Sequence, residues 1–175
     1  MPRVYLSLGS NIDRERSIRQ AIYQLTEQFG EMTLSTIYES DAVGFEGEAF
    51  YNLVVGFDSE LGWQLIQQKL RQIEEENGRE RGSEKFSSRT LDIDLLLYGD
   101  LNLQDQGVDL PRAEIFRYAF VLCPLAEIAG EARHPQSGES YAALWAAFAD
   151  NSQSQPLRAV VLDPHRINEN RLKVE

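Results

Sequence analysis

The chain has 175 residues, with 17 Lys and Arg against 28 Asp and Glu, giving a formal net charge of −11. That length fits one domain, and a hydrophobic fraction of 42% excludes a disordered chain and permits a self-sufficient core. The acidity excludes a sequence-independent grip on nucleic acid or on anionic lipid, since both need a dominant basic face. It still admits a small anionic ligand held by a few local cations or a metal ion.

In chain order, Met1-Pro2-Arg3-Val4 lacks the apolar core of a signal peptide. No run approaches the roughly 20 apolar residues of a membrane span, so a cytoplasmic protein is expected. Val4-Tyr5-Leu6-Ser7-Leu8 alternates apolar and polar and predicts a strand ending at Gly9. Ile18, Ala21, Ile22, Leu25 and Phe29 predict a helix face stopped by Gly30. Thr33 to Glu39 is a second strand, Ser40 to Glu48 a loop, and Asn52 to Phe57 a third strand. Trp63, Ile66, Leu70 and Ile73 predict a second helix, ended by Asn77-Gly78. A polar loop over 79–90 leads into a fourth strand, Leu91 to Tyr98. The order β-α-β-β-α-β predicts an α+β, ferredoxin-like core: a mostly antiparallel sheet with helices packed on it.

Beyond the core, residues 101–135 are expected to be short irregular elements, and Tyr141 to Phe148 a helix. Cys123 is the only cysteine, so no intrachain disulfide can form; in its apolar run a buried structural thiol is expected. One Cys and two His leave no Cys/His zinc site. Residues 150–156 have the composition of a linker. The expected organisation is one unit over 1–149, followed by a linker and appendage over 150–175.

The segment Arg89-Thr90-Leu91-Asp92-Ile93-Asp94 concentrates the chemistry. Side chains two apart on a strand share a face, so Asp92 and Asp94 are neighbours there, with Leu91, Ile93 and Leu95 turned away. Two adjacent carboxylates repel, and a hard divalent cation such as Mg²⁺ removes the conflict; two surface carboxylates on an edge strand is the plainer alternative. Arg79, Arg81, Lys85 and Arg89 precede the pair and face only Glu80 and Glu84 within that loop. Cations leading into paired carboxylates fit a triphosphate site, where carboxylates hold metal and guanidiniums take phosphate oxygens. A solvated, ion-paired loop is the other reading. Neither a P-loop nor a G-x-G-x-x-G segment occurs. His134 and His165 have no clustered partner of catalytic type. Of Glu74-Glu75-Glu76, two are expected at the surface and one beside the cationic loop.

Leu6-Ser7-Leu8-Gly9-Ser10-Asn11, Phe50-Tyr51-Asn52, Ile73-Glu74, Gly78-Arg79-Glu80-Arg81, the Arg89–Asp94 block, Leu110-Pro111 and Ala119 to Leu125 together resemble the 6-hydroxymethyl-7,8-dihydropterin pyrophosphokinases of folate biosynthesis. The resemblance runs from about residue 3 to about 148 and implies the same ferredoxin-like fold. It implies transfer of the β,γ-pyrophosphoryl unit of MgATP to the pterin hydroxymethyl group, releasing AMP. By resemblance, Asp92 and Asp94 bind two Mg²⁺, and Arg79 and Arg89 stabilise charge on the transferred unit. Asn52 reads the pterin edge with backbone near Ser40 and Val43, while Phe50 and Phe120 stack on its faces. Glu74, Arg81, Arg112 and Tyr118 fall on the nucleotide side, with adenine near Leu95 and the backbone of 108–110. The implied partners are pterin and ATP, without nucleic acid or membrane, in a monomer or homodimer.

Five positions depart from the family pattern. Arg112 stands where a His is usual, Tyr118 where an Arg is usual, Phe86 where a Trp is usual, and Ser87-Ser88 where Gly-Pro is usual. Two rival readings accompany the enzyme: a diverged paralogue with weak or altered activity, and a ferredoxin-like RNA-binding or regulatory module. The net charge argues against the last.

Overall fold

Val4, Leu6 and Leu8 alternate with Tyr5, Ser7 and Gly9, and in the computed structural model this segment is an interior strand of a sheet. The structure describes residues 1–43, 46–78, 91–150 and 155–162. Its elements are β1 (Arg3–Ser10), α1 (Arg14–Phe29), β2 (Thr33–Leu34), β3 (Ile37–Ser40), β4 (Phe50–Asp58), α2 (Trp63–Glu76), β5 (Asp92–Tyr98), α3 (Ala119–Ala129), α4 (Tyr141–Ala149) and β6 (Leu157–Val160). Two 3-10 turns, Gln104–Gln106 and Ala113–Phe116, lie between β5 and α3.

The sheet order is β5-β1-β4-β3-β6, with β2 also on β4, and all pairings are antiparallel. This is the ferredoxin-like order expected for β-α-β-β-α-β, extended by one strand. Helices α1 and α2 cover one face, where Ile18, Ile22, Leu25, Ile66 and Leu70 pack on Leu6, Leu8, Leu53, Val55 and Phe57. α3 and α4 cover the other face, where Val121, Leu122, Leu125 and Tyr141 meet Tyr5, Val54, Leu96 and Leu97. α1 stops at Gly30, whose φ of 86° is readily adopted only by glycine.

Three expectations are corrected. The second strand is broken at Ser35-Thr36, where the register on β4 slips by one residue. Ser35 Oγ accepts the Val54 N–H at 2.9 Å, which absorbs the slip without leaving that buried donor unpaired. The Thr36 N–H and hydroxyl both donate to Glu127 Oε1 of α3, at 2.8 and 2.7 Å, and the Tyr38 hydroxyl donates to Oε2 at 2.9 Å.

The second correction is α3, a regular 11-residue helix inside the stretch expected to be irregular. It is apolar around most of its circumference and contains Pro124, which removes one backbone donor, so neither period nor composition marks it as helical. Cys123, the third, is half-buried rather than buried; burial pushes its thiol pKa up. Among the described residues, no helix is long and apolar enough to cross a membrane.

Candidate active site

Strand register builds the site. Gly9 of β1 lies opposite Asn52 of β4 on one side and Asp92 of β5 on the other; Ser7 lies opposite Val54 and Asp94 in the same way. Directly paired residues share a face, so Asp92, Asp94, Ser7, Gly9, Asn52 and Phe50 all point to the side covered by α3. Leu91, Ile93 and Leu95 point into the opposite core, as expected. Two strand spacings, about 10 Å, separate the carboxylates from Asn52. The floor between them is low because Ser7 and Gly9 are small. A Cβ at Gly9 would lie 3.2 Å from Asn52 Oδ1, tighter than ordinary contact.

At one end, Asn52 is buried and donates through Nδ2 to Ser40 Oγ at 2.7 Å. Phe50 is half-buried beside it. Phe120 stands in the first turn of α3 with its ring stacked on Tyr118, centroids 5.0 Å apart and 13° from parallel. Tyr118 therefore stands directly against Phe120. Val43 is exposed at the rim. Two residues not singled out for a role hold the strand end that carries Phe50. Asn11 Nδ2 donates to the Glu48 carbonyl at 3.1 Å, and Arg14 donates to the Ala49 carbonyl at 2.9 Å while lying 4.0 Å over the Tyr51 ring. Asn11 was visible as the end of the Leu6–Asn11 block; Arg14 had no local signal.

At the other end, Arg112 Nη2 lies 3.3 Å from Asp94 Oδ1 and 3.4 Å from Glu114 Oε1. Its backbone N–H donates to the Leu96 carbonyl at 3.0 Å, fastening it to the outer edge of β5. Burial opposes the charge on Arg112, but Asp94 and Glu114 more than offset this, so its pKa lies above the ordinary guanidinium value. Arg112 Nε is buried and has no partner among the described residues. The structure thus places Arg112 against a carboxylate that the resemblance implies as a metal ligand.

Glu74 is buried, and its Oε2 accepts the Ile93 N–H at 3.0 Å. It ties the end of α2 to β5 between Asp92 and Asp94, while Glu75 and Glu76 are exposed. The Leu95 side chain is not brought to the site; it is 3% exposed in the core under α2. Arg79, Arg81, Phe86, Ser87, Ser88 and Arg89 lie outside the described residues.

The donor set fits magnesium. Asp92 and Asp94 offer two carboxylates two residues apart on one face of β5, and among the described residues no group of three or more His, Cys, Asp or Glu could hold a metal ion. Mg²⁺ is commonly bound by one or two carboxylates, with substrate phosphates and water completing its shell.

Residues 5–130 match the family model described as 7,8-dihydro-6-hydroxymethylpterin-pyrophosphokinase. A protein of Bacillus subtilis (strain 168) named 2-amino-4-hydroxy-6-hydroxymethyldihydropteridine pyrophosphokinase is 40% identical over 129 residues, covering 71% of this chain and 76% of its own. One of the same name from Aquifex aeolicus (strain VF5) is 37% identical over 137 residues, covering 77% and 85%. In shape, the chain is similar to a Plasmodium falciparum structure titled HPPK-DHPS wild type with SDX-DHP, at a TM-score of 0.67 and 13% identity. That match spans 88% of this chain and 45% of the other.

Proposed function

Because the chain belongs to the 7,8-dihydro-6-hydroxymethylpterin pyrophosphokinase family, we infer that it transfers the pyrophosphoryl group of ATP to 6-hydroxymethyl-7,8-dihydropterin in folate biosynthesis. The hydroxymethyl oxygen forms a bond to the β-phosphorus as the bond from that phosphorus to the α–β bridging oxygen breaks. The products are the pterin diphosphate, AMP and the hydroxyl proton. One observation carries the reading: strand register puts Asp92 and Asp94 on the same sheet face as Asn52 and Phe50, two strands apart, and that face is the one covered by α3, which carries Phe120.

Asn52 and backbone near Ser40 and Val43 read the flat edge of the pterin, and Phe50 and Phe120 cover its faces. The low floor at Gly9 and Ser7 lets the hydroxymethyl arm reach toward β5. Asp92 and Asp94 would hold two Mg²⁺, which supply charge neutralisation across the phosphate oxygens. Arg79 and Arg89 take the charge developing on the transferred unit, Arg81 and Arg112 Nε serve the nucleotide side, and Tyr118, stacked on Phe120, goes with the pterin slot rather than with the nucleotide. β5 is an edge strand, and its Ile93 N–H points outward to Glu74. The backbone of Leu95, two residues on, faces the same edge and can pair with adenine together with the backbone of 108–110.

The groups that touch substrate lie within 1–149, with 150–175 appended, in a cytoplasmic monomer or homodimer. The test is to mix the protein with MgATP and 6-hydroxymethyl-7,8-dihydropterin and identify the nucleotide product. AMP in step with pterin diphosphate is expected; ADP, or no turnover, overturns the reading.

A further inference from the structure

The family match ends at residue 130, yet residues 155–160 touch both walls of the pterin slot. α3 begins at Ala119, and its N-cap residue, Tyr118, supplies no side-chain cap. Helix starts leave backbone N–H groups without intrahelical partners. The Ala119 N–H is taken by Gln155 Oε1 at 2.9 Å, and Gln155 Nε2 donates to the Arg117 carbonyl at 3.1 Å. One side chain, 36 residues away in sequence, therefore brackets Tyr118 and sets the turn that carries Phe120.

Two residues later the same segment becomes β6, paired along β3 from Ile37↔Val160 to Ser40↔Leu157. Arg158 reinforces the pairing, with Nε 2.9 Å from Glu39 Oε1 and Nη2 3.2 Å from Asp41 Oδ1. Ser40 is the hydroxyl that accepts from Asn52. The segment is thus anchored to the Asn52–Ser40 wall and holds the Phe120 wall through a single amide.

Resting on the assignment of Phe120 to the pterin slot, we propose that Gln155 is a positioning residue for pterin binding: β6 is a brace that sets the α3 N-terminus, and with it Phe120, against β3. A brace of this kind acts on one substrate only. ATP, on the β5 side, does not feel it.

The experiment compares full-length wild type, Gln155→Ala and Gln155→Glu. For Gln155→Ala the KM for pterin should rise about tenfold, the effect of losing a pair of ordinary hydrogen bonds, while kcat and the KM for ATP stay within about twofold. Amide hydrogen exchange over 117–122, read without substrate, should accelerate in the same variant. Gln155→Glu keeps the acceptor for the Ala119 N–H and should retain most of the pterin affinity. An active wild type whose pterin KM is unchanged in Gln155→Ala overturns the brace and leaves the activity standing. Equal rises in both KM values overturn it too, as does a Gln155→Glu as impaired as the alanine variant. A wild type that makes no AMP overturns the activity itself and the proposal with it.

Discussion

Asp94 faces two cations in this protein: the Arg112 guanidinium 3.3 Å away and, on the proposed mechanism, Mg²⁺. Arg112 also neutralises Glu114, a buried carboxylate, so removing it should act on binding and stability in opposite senses. Arg112→Ala should bind Mn²⁺, as a probe for Mg²⁺, several-fold more tightly without nucleotide, because a competing positive charge is gone. The same variant should lose about 1–3 kcal/mol of stability, the scale of a hydrogen bond to a charged group. Titration calorimetry and urea unfolding would read the two effects; unchanged Mn²⁺ affinity would show that Arg112 does not compete at Asp94.

His134 poses a separate residue-scale question, away from the site. It is 2% exposed, and its Nδ1 accepts the Gln136 and Ser137 N–H groups at 3.1 and 3.2 Å, so the ring is neutral with its proton on Nε2. Burial lowers its pKa below the ordinary imidazole value. Below about pH 6.5 the unfolded chain takes up a proton that the folded chain refuses, so stability is full above that pH and falls as pH drops toward the folded pKa. Thermal unfolding from pH 7.5 to 5 should show this slope, and His134→Asn, which keeps an acceptor but cannot titrate, should flatten it.

At the scale of elements, the slip between β2 and β3 depends on one hydroxyl. Val54 is fully buried, and its N–H has Ser35 Oγ as acceptor at 2.9 Å. Ser35→Ala should destabilise the fold by about 1–3 kcal/mol, the desolvation of a buried donor left unpaired. Urea unfolding measures it; a loss near zero would mean that the strand re-registers and β3 slides along β4. Such a slide would move Ser40 away from Asn52, so the slip also locates part of the site.

For the whole molecule, the sheet divides labour between its faces. The α1/α2 face is core, and the α3 face carries the site at one end and a smaller core at the other. Ile66→Ala, at a fully buried position on the inner face of α2, should cost about 2–5 kcal/mol of stability and leave the ratio of the two KM values unchanged. Phe120→Ala should instead weaken pterin binding by about 1–3 kcal/mol with little change for ATP, the range for a lost stacking contact. Binding measurements alongside melting curves distinguish the two; a Phe120→Ala that loses both ligands equally would make Phe120 a core residue.

What the sequence determined by itself is what local periodicity records. Alternation over Val4–Leu8 and Leu91–Leu95 sets which side chains face the core, and so puts Asp92 and Asp94 on the other face before any tertiary contact exists. Helical spacing over Ile18–Phe29 and Trp63–Ile73 does the same for α1 and α2. α3 escaped because a helix packed nearly all round has no polar face to betray its period, and Pro124 argues against it locally. The remaining features join residues far apart in the chain. Arg112 reaches Asp94 only because the chain folds back on the β5 edge, and Glu127 reaches Thr36 across 91 positions. Gln155 likewise meets Ala119 only once β6 has docked on β3. No short-range pattern encodes those distances. They are decided when loops close and strands choose neighbours, and only the tertiary structure holds that record.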